Sequence, residues 1–266
     1  MASGHTSSPG ASCPTRRAAF FRLEGVMHPA GAWAGAAYLA SNAASMRTRL
    51  LGLGGAAFSG ALRGVSLAGA GIAGAQTTKL AYSTIAGFSR DRVEVLGEDY
   101  ARDVLVPEAR DEAVRLVEGA RRDGLVTVLL AESIAPIADA FVRLLAKDGP
   151  TFDVVVANQL ELDDRQRATG SLLSPIISPE IDPKRLRELA SLHAIDLTTS
   201  RAYGRSRADL VLLGLVGQPC AIEPDRELAR VARDLDWPIV RARTPYEVPA
   251  NPDGRELPDH DEGASL

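Results

Sequence analysis

Short apolar runs alternate with helical patterns along most of the chain between residues 18 and 243. Strands buried on both faces read as such runs, and helical connections between them favour a parallel sheet. The sequence therefore predicts an α/β fold, a Rossmann-like parallel sheet with helices on both faces. We predict strands at 18–23, 126–131, 152–157, 201–203 and 238–242, a β-hairpin within 158–173, and helices at 112–122, 134–146, 183–193, 208–215 and 225–235.

The segment 32–87 interrupts this alternation and is rich in Ala, Gly and Leu. It predicts a helical cap inserted into a core made of 18–31 and 88–243. Within the cap, the stretch 50–75 carries Arg63 as its only charge, so its length permits contact with a membrane. Because Arg63 would be costly in hydrocarbon, we expect packed helices here and keep membrane contact as the alternative.

Composition limits the partners and the compartment. A net charge of -4 gives no reason to expect nucleic-acid binding. The two cysteines, Cys13 and Cys220, have no zinc-binding spacing, and they fit a reducing, cytoplasmic location. Residues 1–17 are rich in Ser, Gly and Pro, and residues 244–266 are acidic and rich in Pro, so both predict disordered tails.

Polar residues follow several of the predicted strands. Arg22 and Glu24 come at the end of the first strand, and Arg205 and Asp209 follow the fourth. The carboxyl ends of parallel strands meet at one edge of a sheet, where such folds bind ligands. These side chains are therefore expected to converge, together with Ala131 at the end of the second strand.

These segments resemble motifs of the haloacid dehalogenase-like (HAD) superfamily, subfamily IB, in its phosphoserine-phosphatase-like branch. The apolar strand that runs into Arg22-Leu23-Glu24-Gly25 resembles the family's Asp-x-Asp-Gly-Thr. The run Tyr203-Gly204-Arg205-Ser206-Arg207-Ala208-Asp209-Leu210 resembles the family's Tyr-Gly-Asp-Ser-x-x-Asp-Leu. The resemblance implies an HAD-like core with a helical cap, and a magnesium-dependent phosphatase centre in active members.

The resemblance also implies that the catalytic motifs of this chain are degenerate. Arg22 stands at the position of the nucleophilic Asp, and Glu24 at the position of the second acid. Ala131 stands at the phosphate-binding hydroxyl and Arg205 at one metal-binding Asp, whereas Asp209 keeps the other. A guanidinium stays protonated and has no lone pair for attack, so Arg22 cannot be a nucleophile.

The family's phosphate-binding lysine aligns with Asp182, or with Lys184 if the register shifts by two residues. We therefore assign no catalytic residue. At the position of the family's catalytic centre we expect a metal-free network of ion pairs, in which carboxylates neutralise two arginines. The expected members are Arg22, Arg205, Glu24, Asp182 and Asp209.

Two alternatives stay open for the same residues. Arg22 and Arg205 could bind a small anion, or they could simply point to solvent. Glu24 and Asp209 alone make a poor magnesium site, so magnesium is expected only if the chain is an active enzyme.

Three functions remain for the whole chain. The leading hypothesis is a pseudophosphatase, an inactive HAD-like protein that acts by binding a protein partner or by regulation. The first alternative is a divergent active phosphomonoesterase in which Glu24 serves as nucleophile or metal ligand. The second alternative is an accessory protein of the membrane surface or of lipid metabolism, which would use the cap.

Overall fold

The computed structural model describes residues 15–42, 75–148 and 151–241. In this part of the chain, six strands form one parallel sheet, so the predicted α/β fold is confirmed. The strands are β1 (Ala18–Arg22), β2 (Val126–Ile134), β3 (Val154–Asn158), β4 (Leu160–Leu162), β5 (Ala168–Leu172), β6 (Arg201–Gly204), β7 (Gln218–Ile222) and β8 (Ile239–Val240). The helices are α1 (Ala32–Asn42), α2 (Ala75–Ser83), α3 (Arg90–Tyr100), α4 (Asp111–Arg122), α5 (Ala135–Asp148), α6 (Pro183–Leu192), α7 (Leu210–Leu215) and α8 (Arg226–Asp234).

The central strand β1 is buried on both faces, which explains its uninterrupted apolar sequence. Successive side chains of a strand point to opposite faces of the sheet. Phe21 packs in one core cluster with Phe141 of α5, and Phe20 packs in the other with Leu186 of α6 and Leu228 of α8. Helices on both faces therefore bury the two sides of the sheet.

Strand β7 is absent from the sequence-based prediction, and it contains Pro219. Proline lacks an N–H group and is therefore rare inside sheets. In the structure the Gln218 N–H donates toward β6, to Ser200, and the Ala221 N–H donates toward β8, to Pro238. The nitrogen of Pro219 thus faces the β8 side, where the ladder begins only at Ala221, so no bond is lost.

Both described ends of the segment 32–87 are helical, and α1 packs against α2 and α3. Residues 43–74 lie outside the described residues, and with them the stretch 50–75 except Ala75, so membrane contact there stays a prediction. Among the helices that are described, none is long and apolar enough to cross a membrane.

Regular pairing begins earlier than the predicted core. Arg16, inside the predicted N-terminal tail, forms a parallel bridge with Ile195, and its N–H donates to Ala194 O at 2.7 Å. The rest of that tail up to residue 14, and residues 242–266, lie outside the described part.

The strand order reverses between β1 and β6, because β2 and β3 lie on one side of β1 whereas β6, β7 and β8 lie on the other. In parallel sheets, the crevice beyond the carboxyl ends of the strands at such a point is the usual ligand site. Arg22 ends β1 and Asp209 follows β6, so the topology brings both residues to this crevice.

Candidate functional site

Arg22 lies at the carboxyl end of β1 and is only 2% exposed. Its guanidinium forms an ion pair with Glu132 of β2, and its Nε lies 3.3 Å from Asp209 Oδ1. The remaining N–H groups donate to the backbone carbonyls of Pro179, at 2.5 Å, and of Ser178, at 3.3 Å. Each of the three nitrogens of this guanidinium therefore faces at least one acceptor within the protein.

Glu24 follows β1 and is held against the backbone of β2. Its carboxylate accepts hydrogen bonds from Glu132 N at 2.8 Å, from Ser133 N at 2.9 Å and from the Ser133 hydroxyl at 2.5 Å. These N–H groups are available because the register between β2 and β3 shifts between Ala131 and Ile134. The irregularity in β2 thus turns two consecutive backbone donors toward Glu24, whereas in a regular strand they would point to opposite sides.

Asp209 is positioned by the turn that follows β6. Its Oδ2 accepts hydrogen bonds from Arg205 N at 2.7 Å and from Ser206 N at 2.9 Å, in a capping box at the start of a short 3-10 helix. Gly204 permits this arrangement, because a Cβ atom at that position would lie 2.7 Å from Asp209 Cβ. The turn leaves Oδ1 of Asp209 to face Arg22.

The resulting cluster, called here the Arg22 cluster, comprises Arg22, Glu24, Glu132 and Asp209, all of them buried. It holds three carboxylates against one guanidinium. Burial lowers the pKa of Arg22, but the carboxylates of Glu132, Asp209 and Glu24 outweigh this effect and raise it above its usual value. The single cation therefore stays protonated.

The excess of negative charge acts on Glu132. Burial raises the pKa of Glu132 to about 7; Arg22 opposes this shift, and the negative charges of Glu24 and Asp209 add to it. A carboxyl group in this range exchanges a proton near neutral pH. Glu132 is therefore the titrating member of the Arg22 cluster.

The structure brings together three of the residues singled out from the sequence, Arg22, Glu24 and Asp209. Ala131 lies beside them in β2, and its methyl group is part of the apolar core, so it offers no hydroxyl. Glu132 belongs to the site but was missed by sequence reasoning. Its signal was an acidic residue directly after the apolar run of the strand beside β1.

Two expected members lie outside the cluster, so the observed network differs from the expected one. Asp182 caps the N-terminus of α6, where it accepts a hydrogen bond from Lys184 N at 2.8 Å. The side chain of Lys184 is 83% exposed and lies 4.0 Å from Glu188. Arg205 makes no ion pair with a carboxylate in the described ranges, and its Nε is buried without a hydrogen-bond partner there.

A cleft of about 260 Å³ lies over the Arg22 cluster, between the core and the described helices of the cap. The core contributes the four cluster residues to its wall. The segment before α1, α1 itself and α2 close the other side, with Pro29, Gly31, Trp33, Thr77 and Thr78.

The residues present do not fit a magnesium ion. Magnesium demands near-octahedral oxygen coordination. Here Asp209 Oδ1 faces the guanidinium of Arg22, and Asp209 Oδ2 accepts from the N–H groups of Arg205 and Ser206. The Glu24 oxygens likewise accept from N–H and O–H groups. A fixed cation thus occupies the centre of the carboxylates, and within the described ranges no group of three or more His, Cys, Asp or Glu could hold a metal.

Comparison with known proteins identifies the family. A family model described as haloacid dehalogenase-like hydrolase matches residues 31–214. The chain therefore belongs to the haloacid dehalogenase-like family, as its motifs predicted. The matched region begins after β1, so Arg22 and Glu24 lie outside it.

The chain is also similar to individual proteins. It is 29% identical over 172 residues to the "inhibition of morphological differentiation protein" of Streptomyces azureus, which covers 65% of this chain and 60% of that protein. It is 24% identical over 172 residues to the histidinol-phosphatase of Neisseria meningitidis serogroup C, covering 61% of this chain and 72% of that protein. The chain thus spans well under two thirds of the Streptomyces protein.

Two solved structures share the fold. A protein of unknown function from Bordetella pertussis Tohama I has a TM-score of 0.71 and 20% identity, over 85% of this chain and 98% of that one. A substrate-bound phosphoserine phosphatase has a TM-score of 0.59 and 13% identity, over 85% of this chain and 92% of that one. At these identities the likeness is one of fold.

Proposed function

We propose that this chain is a catalytically inactive member of the HAD family, which acts by binding a protein partner or by regulation. The observation that carries the proposal is the ion-paired burial of Arg22 at the end of β1. Phosphoryl transfer through a covalent intermediate needs a nucleophile with a free lone pair at the reaction centre. A guanidinium has none.

Glu24 is a poor replacement for the missing nucleophile. Three hydrogen bonds from Glu132 and Ser133 hold its carboxylate against β2. Hydrogen bonds to an anion lower its reactivity, because attack requires giving up the charge that they stabilise. For Glu24 to attack a phosphoryl group, it would have to use the lone-pair site that these three bonds leave, on a carboxylate held against β2.

The cleft carries an excess of negative charge, which disfavours anionic ligands. Glu24, Glu132 and Asp209 outnumber Arg22, and the donors of Arg22 face acceptors within the protein. A small anion would therefore meet repulsion here, and every nitrogen of Arg22 already faces an acceptor of the protein. This favours a protein partner over an anionic ligand at this cleft. A cytoplasmic location is part of the proposal, supported by the free thiol of buried Cys220.

A hydrolysis assay tests the proposal. The purified chain is incubated with magnesium and p-nitrophenyl phosphate, phosphoserine or histidinol phosphate, and release of phosphate is measured. We expect no turnover above buffer. The single variant Arg22→Asp is also expected to show no turnover. Glu24 would stay hydrogen-bonded to β2, and Arg205 would still stand at the position of a metal-binding Asp.

Variant Glu24→Gln separates real activity from contamination, with folding checked by circular dichroism. Magnesium-dependent turnover in the parent that is lost in folded Glu24→Gln would overturn the proposal. Turnover of equal size in both proteins would come from a contaminating phosphatase.

The second candidate is a divergent active phosphomonoesterase. It is favoured by the names of relatives, which include the Neisseria histidinol-phosphatase and a probable phosphatase of Mycobacterium tuberculosis. The carboxyl of Glu132, with its pKa raised to about 7 mainly by burial, would suit a general acid or base. The Glu24→Gln comparison decides between the two candidates.

A further inference from the structure

Two arginines, Arg110 and Arg205, lie near each other outside the Arg22 cluster. Arg110 precedes α4 and forms an ion pair with Glu223, its Nη1 lying 2.5 Å from Glu223 Oε2. The Nε of Arg110 is buried and has no hydrogen-bond partner in the described part of the chain. The Nε of Arg205, after β6, is in the same state. Two buried N–H donors are thus left without an acceptor.

Backbone hydrogen bonds fix the segments that carry these arginines. Arg110 N donates to Met27 O at 2.8 Å, and Arg205 O accepts from Asp225 N at 2.8 Å. Glu223, the residue after β7, donates its N–H to Val240 O at 2.8 Å. The two guanidinium groups therefore extend from anchored backbone at the carboxyl edge of the sheet.

The two arginines are close enough to repel each other. Burial lowers the pKa of Arg110, and the positive charge of Arg205 lowers it further, whereas Glu223 raises it. The carboxylate of Glu108 lies 3.3 Å from His28 Nε2 and forms no ion pair with either arginine in the described ranges. Of these two positive charges, only that of Arg110 is paired with a carboxylate, that of Glu223, among the described residues.

Buried donors in native proteins are almost always paired with protein, water or a bound ion. An oxyanion could accept from both Nε groups and balance the excess positive charge. We propose that Arg110 and Arg205 form a binding site for a phosphate-like oxyanion, either free or carried as the phosphate group of a larger ligand. Glu223 holds Nη1 of Arg110 and thereby leaves the Nε edge for the anion.

This site contrasts with the cleft described above. The donors of Arg22 face protein acceptors, whereas Arg205 has no carboxylate partner among the described residues. The inference does not depend on whether the chain is an enzyme.

Calorimetric titration of the full chain with inorganic phosphate tests the site, in EDTA and at constant ionic strength set by chloride. We expect binding in the millimolar range or tighter, and a loss of about tenfold or more for Arg205→Gln and for Arg110→Gln. Arg207→Gln is the matched control from the same turn, because Arg207 is 69% exposed and already paired with Glu227. It should change the affinity by less than about twofold.

Titration with phenyl phosphate distinguishes a site for free phosphate from a site for the phosphate group of a larger ligand. Phenyl phosphate should bind at least as tightly as inorganic phosphate if the site takes the phosphate of a larger ligand, and more weakly if the site takes the free ion. Arg205→Lys keeps the charge but loses the planar fork, and it should retain part of the affinity.

Two outcomes would overturn the inference. One is a parent chain that shows no binding of either probe at tens of millimolar. The other is an affinity that Arg205→Gln leaves unchanged in a protein with an intact circular dichroism spectrum. Both readouts are independent of magnesium-dependent turnover, on which the proposed function depends.

Discussion

Arg22 Nε lies 3.3 Å from Asp209 Oδ1, and the same guanidinium forms an ion pair with Glu132. One buried cation therefore joins β1, β2 and the turn after β6. Removing one partner of a buried ion pair leaves a charge that neither water nor protein compensates.

Replacing Arg22 by leucine should destabilise the protein by about 3–5 kcal/mol, because Glu132, Asp209 and Glu24 would keep their burial and lose their cation. Urea denaturation measures the change in the free energy of unfolding. The control is Arg90→Leu, since Arg90 is 61% exposed and pairs with Glu94 on the surface of α3. That change should leave the free energy of unfolding nearly unchanged, because exposed ion pairs contribute little. Equal losses in the two variants would contradict the buried network.

Glu24→Gln should destabilise the protein by about 1.5–3 kcal/mol. The glutamine amide has one oxygen, whereas the carboxylate of Glu24 accepts from Glu132 N, Ser133 N and the Ser133 hydroxyl. The NH2 group of the glutamine would replace the other oxygen and would face an N–H donor instead of accepting from it. Thermal or urea unfolding measures the loss, and Glu94→Gln on the exposed face of α3 is the control. A Glu24→Gln protein as stable as its parent would show that these bonds contribute nothing.

The stability of the protein should depend on pH through Glu132. Burial raises the pKa of Glu132 from 4.5 to about 7 in the folded state, so between these values the folded chain binds more protons than the unfolded chain. The contribution of Glu132 to stability therefore falls as pH rises through this window and levels off above about pH 7. A pKa difference of about 2.5 corresponds to roughly 3 kcal/mol.

His28 also affects the pH dependence of stability, so the quantity to measure is the difference in unfolding free energy between the parent and Glu132→Gln. His28 acts in the opposite direction, because burial lowers its pKa from 6.5 and its contribution is lost as pH falls below that value. Subtracting the unfolding free energy of Glu132→Gln from that of the parent at each pH cancels His28. A difference that stays flat from pH 4.5 to 7 would mean that Glu132 titrates as an ordinary carboxylate.

Gly204→Ala should destabilise the protein by about 1–3 kcal/mol. The new Cβ would lie 2.7 Å from Asp209 Cβ and 2.8 Å from Leu213 Cδ1, so Asp209 would have to move away from Arg22. Gly214→Ala in α7 is the matched control, because a Cβ there meets nothing within 4 Å. It should be neutral or stabilise the helix by up to about 1 kcal/mol. Differential scanning calorimetry of both variants gives the comparison.

Cys220 should not react with thiol reagents in the native protein. Burial raises the pKa of its thiol to about 11, so little thiolate exists at pH 8. Variant Cys13→Ser leaves Cys220 as the sole cysteine. Ellman's reagent should then report almost no thiol per native chain and one per chain in denaturant. Rapid reaction of the native variant would mean that the segment around β7 opens readily.

The sequence predicted most of the sheet because strands buried on both faces carry uninterrupted apolar runs. It shows Glu132 only as an acid after an apolar run, and the irregularity in β2 that turns the N–H groups of residues 132 and 133 toward Glu24 has no local signature. Asp182 was assigned to the site by alignment, although Asp182-Pro183 also reads as a helix start, with a capping acid followed by proline at the first position. The strand-end rule placed Arg205 at the correct edge of the sheet, but it does not specify which neighbour a long side chain meets.

The partners of Arg22 lie far away along the chain: Glu132 is 110 residues distant, and the carbonyls of Ser178 and Pro179 are 156 and 157 residues distant. Closing segments of this length costs entropy that only later contacts repay. We therefore expect the guanidinium to meet its acceptors after the strands have assembled, beyond the transition state of folding. Loss of Arg22 would then accelerate unfolding and leave the folding rate nearly unchanged, so the buried cation sets the lifetime of the native state.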